Sequence, residues 1–279
     1  MEQNLKEICK QLRCDVCASI GSIGVGHIGG SLSIVELLAV LYFDQMHIDP
    51  KRPDMPGRDR LICSKGHAGP AVYAALAEKG YFDRSLLLTL NQGGTHLPSH
   101  CDMNLTPGID MTTGSLGQGF SAAVGVALGS RLENDGATIY AIIGDGESQE
   151  GQIWESAMFA GNYGLDNLIA FTDCNGLQVD GKVEDVGNLE PLADKWRAFN
   201  WNVIEVMNGN DVDTVRAAVI EAKANRGSGK PTMVLLRTTK GAGVSFVIAK
   251  GAANHNAPFS KEDAARAIAE IRGEEPSWK

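Results

Sequence analysis

The sequence predicts an α/β fold: a mostly parallel sheet flanked by helices. Three observations point to it. Short, β-rich apolar runs recur in the second half, at residues 139–143, 168–172, 203–207 and 233–238. Helix-like segments alternate with them, as in βαβ units. The first third is helix-like, with apolar residues at three- and four-residue steps.

Taken in order, Leu5, Ile8, Leu12 and Val16 define an N-terminal helix. Leu32, Ile34, Leu37, Leu38 and Leu41 form a second stripe after a glycine-rich lead-in. Residues 117–133 (GQGFSAAVGVALGSRLE) are dense in Gly and Ala, so this helix can pack very close to a neighbour, in the fold or at an interface. From residue 137 strands take over, separated by helices at 152–162 and 211–225, the latter with Val212, Val215, Val219 and Ala222 on one face. A last helix spans 261–271, with Ser260 as N-cap and Glu262 and Asp263 in its first turn. No repeat, low-complexity tract or linker intervenes, and residues 1–279 are expected to form one domain.

Composition excludes several classes. With 43% hydrophobic and 21% charged residues the chain can bury a sizeable core. A formal charge of −9, with no Lys/Arg cluster, argues against coating nucleic acid or an anionic membrane. No run reaches the ~18 apolar residues of a membrane span. The N-terminal stretch MEQNLKEICKQLRCDVC is charged and amphipathic, unlike a signal peptide. Cys14 and Cys17 fit a CxxC pattern, but it lies in a helix-like stretch and no second pair completes a zinc site. Free thiols in a reducing cytoplasm are the expectation. Gly24-Val-Gly-His-Ile-Gly29 fits the dinucleotide pattern GxGxxG, but no convincing strand precedes it, so no NAD site is expected.

The informative positions are the strand ends. One apolar run stops at Gly144-Asp145-Gly146 and the next, about thirty residues on, at Asp173-Cys174-Asn175-Gly176. In an open parallel sheet, ligands bind beyond the carboxyl ends of the strands, and one crossover could bring these two ends together. Asp145 offers a carboxylate and Asn175 an amide oxygen, hard ligands suited to Mg²⁺ or Ca²⁺ and not to zinc. Gly144 and Gly146 leave their backbone N–H groups open to a diphosphate. Taken singly, each tripeptide also reads as an ordinary turn; the spacing between them favours the ligand site.

These residues carry a resemblance. Gly144-Asp145-Gly146 followed by Asn175 resembles the thiamine diphosphate motif of the transketolase family, and so do GHIGGSLSIVELLAVLY, RDRLICSKGHAGPAVY and TTGSLGQGFSAAVGVA, from about residue 10 to about residue 260. The resemblance implies a thiamine diphosphate-binding fold of the diphosphate-binding (PP) type. It implies that Asp145, Asn175 and the carbonyl of Leu177 ligate Mg²⁺, for which Ca²⁺ or Mn²⁺ could substitute. Gly146 and His67 would hold the diphosphate, and Gly114 and Leu116 would contact the pyrimidine side. His27, His100 and His255 would line the substrate channel, with His255 also near the diphosphate, and Glu150 would join a carboxylate network coupling paired active sites. His100 stands in Pro-Ser-His-Cys, unlike the family's Gly-His-Pro, with His96 its nearest rival; His47 reads as a surface residue.

The family's pyrimidine-binding and C-terminal domains have no counterpart in this sequence. The resemblance therefore implies the N-terminal subunit of a split transketolase, active with a C-terminal partner subunit in an α2β2 heterotetramer. It would transfer a two-carbon ketol unit from a ketose, such as a sugar phosphate, to an aldose. The same chemistry on a sulfonated or branched sugar stands beside this reading, and a non-catalytic cofactor-binding scaffold is the third.

Overall fold

Helix α1 (Leu5–Ile23) begins where the Asn4 side chain accepts the Lys6 N–H, and ends at Gly24, whose φ of 85° suits a residue without Cβ. The structure, a computed structural model, describes residues 4–274. Met1–Gln3, the start of the amphipathic N-terminal segment, and residues 275–279, the end of the expected domain, lie outside the described residues.

The second apolar stripe is not one helix. It splits into Ile28–Leu32 and Val35–Val40. At the break the Ser33 hydroxyl bonds the Gly30 carbonyl and the Asp173 carboxylate, so a side chain competes with the helical ladder. The chain then forms β1 (Arg60–Cys63), α2 (Gly69–Lys79), α3 (Gln118–Glu133), β2 (Ile139–Gly144), α4 (Gly151–Asn162), β3 (Leu168–Cys174), α5 (Leu192–Ala198), β4 (Asn202–Val206), α6 (Val212–Ala224), β5 (Thr232–Arg237) and α7 (Lys261–Arg272). Ser260 caps α7 in a reciprocal box with Asp263.

The five strands form one parallel sheet, in the order β1-β2-β3-β5-β4. Both faces are covered. Tyr140, Ile142, Ile169 and Phe171 join the core shared with α1, α2 and α6. Ile139, Ala141, Ile143 and Leu168 join the core shared with α3, α4 and α5. Period-two alternation thus sends neighbouring residues of one strand into two hydrophobic layers, which is why the strands read as unbroken apolar runs. Helix α3 buries Phe120, Ala123 and Ala127 and leaves Gly125 outward. Its Gly119 is required by close approach: a Cβ there would stand 2.7 Å from Ser64 Cα.

β2 and β3 are paired so that Gly144 lies opposite Asp173. The two strands therefore end together, and the Asp145 N–H donates to the Asp173 carbonyl at 3.2 Å. Among the described residues no helix is long and apolar enough to cross a membrane. All six cysteines are buried and unpaired, and Cys14 and Cys17 lie within α1.

Candidate functional site

Beyond the carboxyl ends of β1, β2, β3 and β5 lies a cavity of about 430 Å³. All eleven residues singled out in the sequence line it: His27, His67, His100, Gly114, Leu116, Asp145, Gly146, Glu150, Asn175, Leu177 and His255. His96 and His47 are exposed and lie outside it.

Local structure explains the convergence. Val25–Gly26 pairs antiparallel with Ala257–Pro258, which brings His27 beside His255 with ring centroids 5.5 Å apart. The GxGxxG stretch is this junction, preceded by α1 and not by a strand. His67 sits on a single 3₁₀ turn after β1. Its neighbour Gly66 packs on the loop before Gly114, where a Cβ would meet the Thr113 carbonyl at 2.7 Å. The His67 ring lies 4.9 Å from His255 and 5.3 Å from His27, and His100 lies 5.5 Å from His27.

The strand-end turns form one network. Asp145 accepts the N–H groups of Gly146 at 2.8 Å and Gly176 at 2.6 Å, so one carboxylate ties the two turns. Asn175 donates to Asp173 at 2.9 Å, and its amide oxygen accepts the Leu177 N–H at 3.0 Å. Among the described residues no three His, Cys, Asp or Glu side chains cluster as a metal site. The oxygen set singled out in the sequence holds one carboxylate, one amide and one peptide carbonyl.

Four charged residues of the cavity, Lys65, Glu147, Asp180 and Lys240, went unmarked in the sequence. Lys65 is buried and pairs with Asp173 at 2.6 Å. Lys240, just past β5, donates to the Leu177 carbonyl at 3.0 Å and lies 3.1 Å from His255 Nδ1. Glu147 accepts the N–H groups of Gly117 at 2.9 Å and Gly144 at 3.0 Å and the Ser64 hydroxyl, joining three cavity loops. The strand-end rule that found Asp145 points equally to Lys240, which follows the β5 run. Lys65 was in view within Ser-Lys-Gly-His.

Burial dominates the electrostatics of the site. Burial, then the nearby Asp173, pushes the Asp145 carboxyl up to about 6. Burial, then Lys65, brings the Lys240 ammonium down to about 8. Burial is also the main cause that lowers His27 and His255 to about 4, His67 to about 2, and His100 below the usual imidazole value. Asp173 stays below the usual carboxylate range although burial opposes it, because Lys65, Thr238 and Ser33 hold its charged form.

Residues 4–278 match the family model described as the transketolase thiamine diphosphate-binding domain. The chain is 60% identical over 255 residues, 91% of each chain, to a 6-deoxy-6-sulfo-D-fructose transketolase subunit from Clostridium sp. (strain MSTE9). It is 40% identical over 88% of its length, and 86% of the relative's, to an apulose-4-phosphate transketolase subunit from Phocaeicola vulgatus. Transketolase from Leishmania mexicana superposes with a TM-score of 0.90 at 32% identity, covering 100% of this chain and 42% of that one. The chain thus spans about two-fifths of that solved transketolase. With the strand-end motif, the histidine cluster and the fold all agreeing, the chain belongs to the transketolase family, as its thiamine diphosphate-binding domain.

Proposed function

We propose that this chain is the diphosphate-binding subunit of a two-chain transketolase that moves a two-carbon ketol unit from a ketose to an aldose. The observation that carries it is the convergence of four imidazoles and the Asp145–Asn175 strand ends on one cavity. In this reading residues 1–279 make up the diphosphate-binding domain, and the pyrimidine-binding and C-terminal domains belong to a partner subunit in an α2β2 assembly. The named relatives are themselves transketolase subunits of similar length. Six unpaired thiols fit a cytoplasmic setting.

The residues suit the cofactor. A Cβ on Gly30 would stand 3.6 Å from His67 Nε2 and 4.0 Å from Lys65 Nζ, in the space a diphosphate needs. Lys240 and Lys65 offset phosphate charge and His67 can donate to it. The N–H groups of Gly144 and Gly146, expected from the sequence to be open, are taken by Glu147 and Asp145, so Gly146 would line the diphosphate only by lacking a side chain. Gly114 and Leu116 meet its pyrimidine side. Asp145, Asn175 and the Leu177 carbonyl each keep acceptor capacity beyond the bonds described, and would hold Mg²⁺, or Ca²⁺ or Mn²⁺ in its place. When bound, thiamine diphosphate supplies the carbon nucleophile that carries the two-carbon unit.

The chain's own part is binding and proton handling. His27, His100 and His255 are held neutral by burial, so each can accept a proton or donate a hydrogen bond to a sugar hydroxyl. The Ser99 hydroxyl engages His100 Nδ1 at 2.9 Å, leaving Nε2 for the sugar. His255 also borders the diphosphate through its contact with Lys240. Glu150 lies on the rim, suited to a carboxylate network between paired sites.

For the donor, the 60% identity to the sulfofructose transketolase favours a 6-sulfonated ketose over a sugar phosphate. The test is the chain co-expressed with its partner subunit, given thiamine diphosphate and Mg²⁺, with 6-deoxy-6-sulfo-D-fructose or D-fructose 6-phosphate as donor and D-glyceraldehyde 3-phosphate as acceptor. Mass spectrometry should find a sulfonated four-carbon aldose and a five-carbon ketose phosphate. Preference for the phosphate donor would overturn the donor assignment. Cofactor binding without transfer from either would favour a scaffold.

A further inference from the structure

We propose that Tyr73, with Ser99, is a positioning residue for the two-carbon transfer: together they fix where the His100 ring stands and which of its nitrogens faces the sugar. The inference rests on the reading that His100 acts on the sugar.

Tyr73 lies on α2 with a fully buried side chain. Its hydroxyl donates to the carbonyls of Pro98 at 2.9 Å and His100 at 3.0 Å, a three-centre bond. These carbonyls flank Ser99, so one phenol holds both sides of the turn that presents His100. Gly69, one helical turn earlier, lets this happen: a Cβ there would stand 3.3 Å from Tyr73 Cζ and 3.4 Å from the Ser99 carbonyl.

The ring itself is gripped from two sides. Ser99 Oγ stands 2.9 Å from His100 Nδ1. On the other side His100 Cδ2 packs against Gly114, 3.4 Å from the place a Cβ would take. The Cys101 carbonyl accepts the Thr113 N–H at 3.0 Å, closing the loop onto the same wall. Residues 98–117 carry no helix or strand, so no ladder of backbone bonds sets the position of His100. A buried hydroxyl aimed at this backbone takes over that task, and a small displacement of a catalytic group is costly in rate.

Tyr73→Phe keeps the ring and its packing and removes only the hydroxyl. In the full chain, ¹⁵N-imidazole NMR should shift for His100 in both Tyr73→Phe and Ser99→Ala, with His27, His67 and His255 unmoved. In the complex with the partner subunit, assayed with whichever of 6-deoxy-6-sulfo-D-fructose and D-fructose 6-phosphate the parent turns over, Tyr73→Phe should lower kcat/KM for the donor about 10- to 100-fold. Thiamine diphosphate affinity by calorimetry should stay within about twofold. In a His100→Ala background Tyr73→Phe should change kcat/KM by less than about twofold, because the group it positions is gone. An equal loss with and without His100, an unmoved His100 signal, or a loss confined to cofactor affinity would each overturn the inference. Should Tyr73→Phe not fold, the same cycle with Ser99→Ala decides: coupling to His100 supports it and additivity overturns it. If His100→Ala alone keeps full turnover, the sugar-facing reading of His100 fails, and this inference with it.

Discussion

Asp145 concentrates the electrostatic problem of the site in one residue. It is buried, it bridges two turns through the N–H groups of Gly146 and Gly176, and burial beside Asp173 raises its pKa to about 6. At neutral pH it is a buried carboxylate short of positive charge, which a divalent cation would match. Asp145→Ala should therefore abolish thiamine diphosphate binding in Mg²⁺, read by calorimetry with the partner present; unchanged affinity would reduce Asp145 to a turn residue. The histidines make the opposite prediction for protons. Burial, reinforced by neighbouring imidazoles and lysines, lowers His27 and His255 from 6.5 to about 4 and His67 to about 2. A histidine with a depressed folded pKa contributes stability that is present above 6.5 and is lost as pH falls towards the folded value. NMR of the cofactor-free chain at pH 5.5 should therefore find these three imidazoles still neutral. Protonated signals there would mean that the cavity is wetter than its burial implies. Asp145, His27 and His67 were legible because glycines flank each of them in short, unusual motifs, and His255 because it stands in the polar Asn-His-Asn-Ala-Pro stretch. Lys65 and Tyr73 stood in the same text, but their partners Asp173 and Pro98–His100 are distant in sequence, so only folding gives them a role.

At the scale of elements, the β-rich runs and the helices between them were legible because β2, β3 and β5 send alternate residues into two cores and so read apolar almost throughout, while edge strand β4 keeps Val203, Ile204 and Val206 around an exposed Glu205. β1 was missed because it is four residues long and opens with Arg60. α2 was missed because every residue from Gly69 to Ala77 is buried, so it has no apolar stripe to see. The split at Ser33 depends on Asp173, 140 residues away, and no local pattern announces it. Glycines within helices mark two different situations, and substitution separates them. A Cβ on Gly161 of α4 would meet the Phe199 carbonyl at 1.9 Å, a backbone atom that cannot swing aside. Gly161→Ala should cost about 1–3 kcal/mol by overpacking. Gly125 of α3 has nothing within 4 Å of a Cβ and ordinary helical backbone. Gly125→Ala should stabilise the isolated chain by about 0.5–1 kcal/mol. Denaturant melts of both variants check the contrast, and similar values would mean that close packing of α4 on the end of α5 does not matter.

At the scale of the whole molecule, the chain gathers all the residues singled out in its sequence on one cavity. The carboxyl ends of four strands supply Lys65, Asp145, Asn175 and Lys240, His67 follows β1, and irregular segments add His27, His100 and His255 to a cavity that opens at the surface. The solved transketolase from Leishmania mexicana contains this fold in about two-fifths of its length, so the rest of that enzyme has no counterpart among these residues. In the reading proposed here, the missing wall lies on the partner subunit, where it would face the pyrimidine. An open cavity lets water reach the groups on its rim, which weakens the electrostatic work a closed site can do. The purified chain, supplied with thiamine diphosphate, Mg²⁺ and both candidate donors, should therefore give no two-carbon transfer above the uncatalysed rate. Adding the partner subunit should restore it, in an assembly whose mass, by light scattering, corresponds to two copies of each chain. Transfer by the chain alone would sink the two-chain reading, since the imidazoles and strand-end oxygens described here would then suffice. Restoration with a one-to-one mass would keep that reading and remove the paired sites, leaving Glu150 without the network assigned to it.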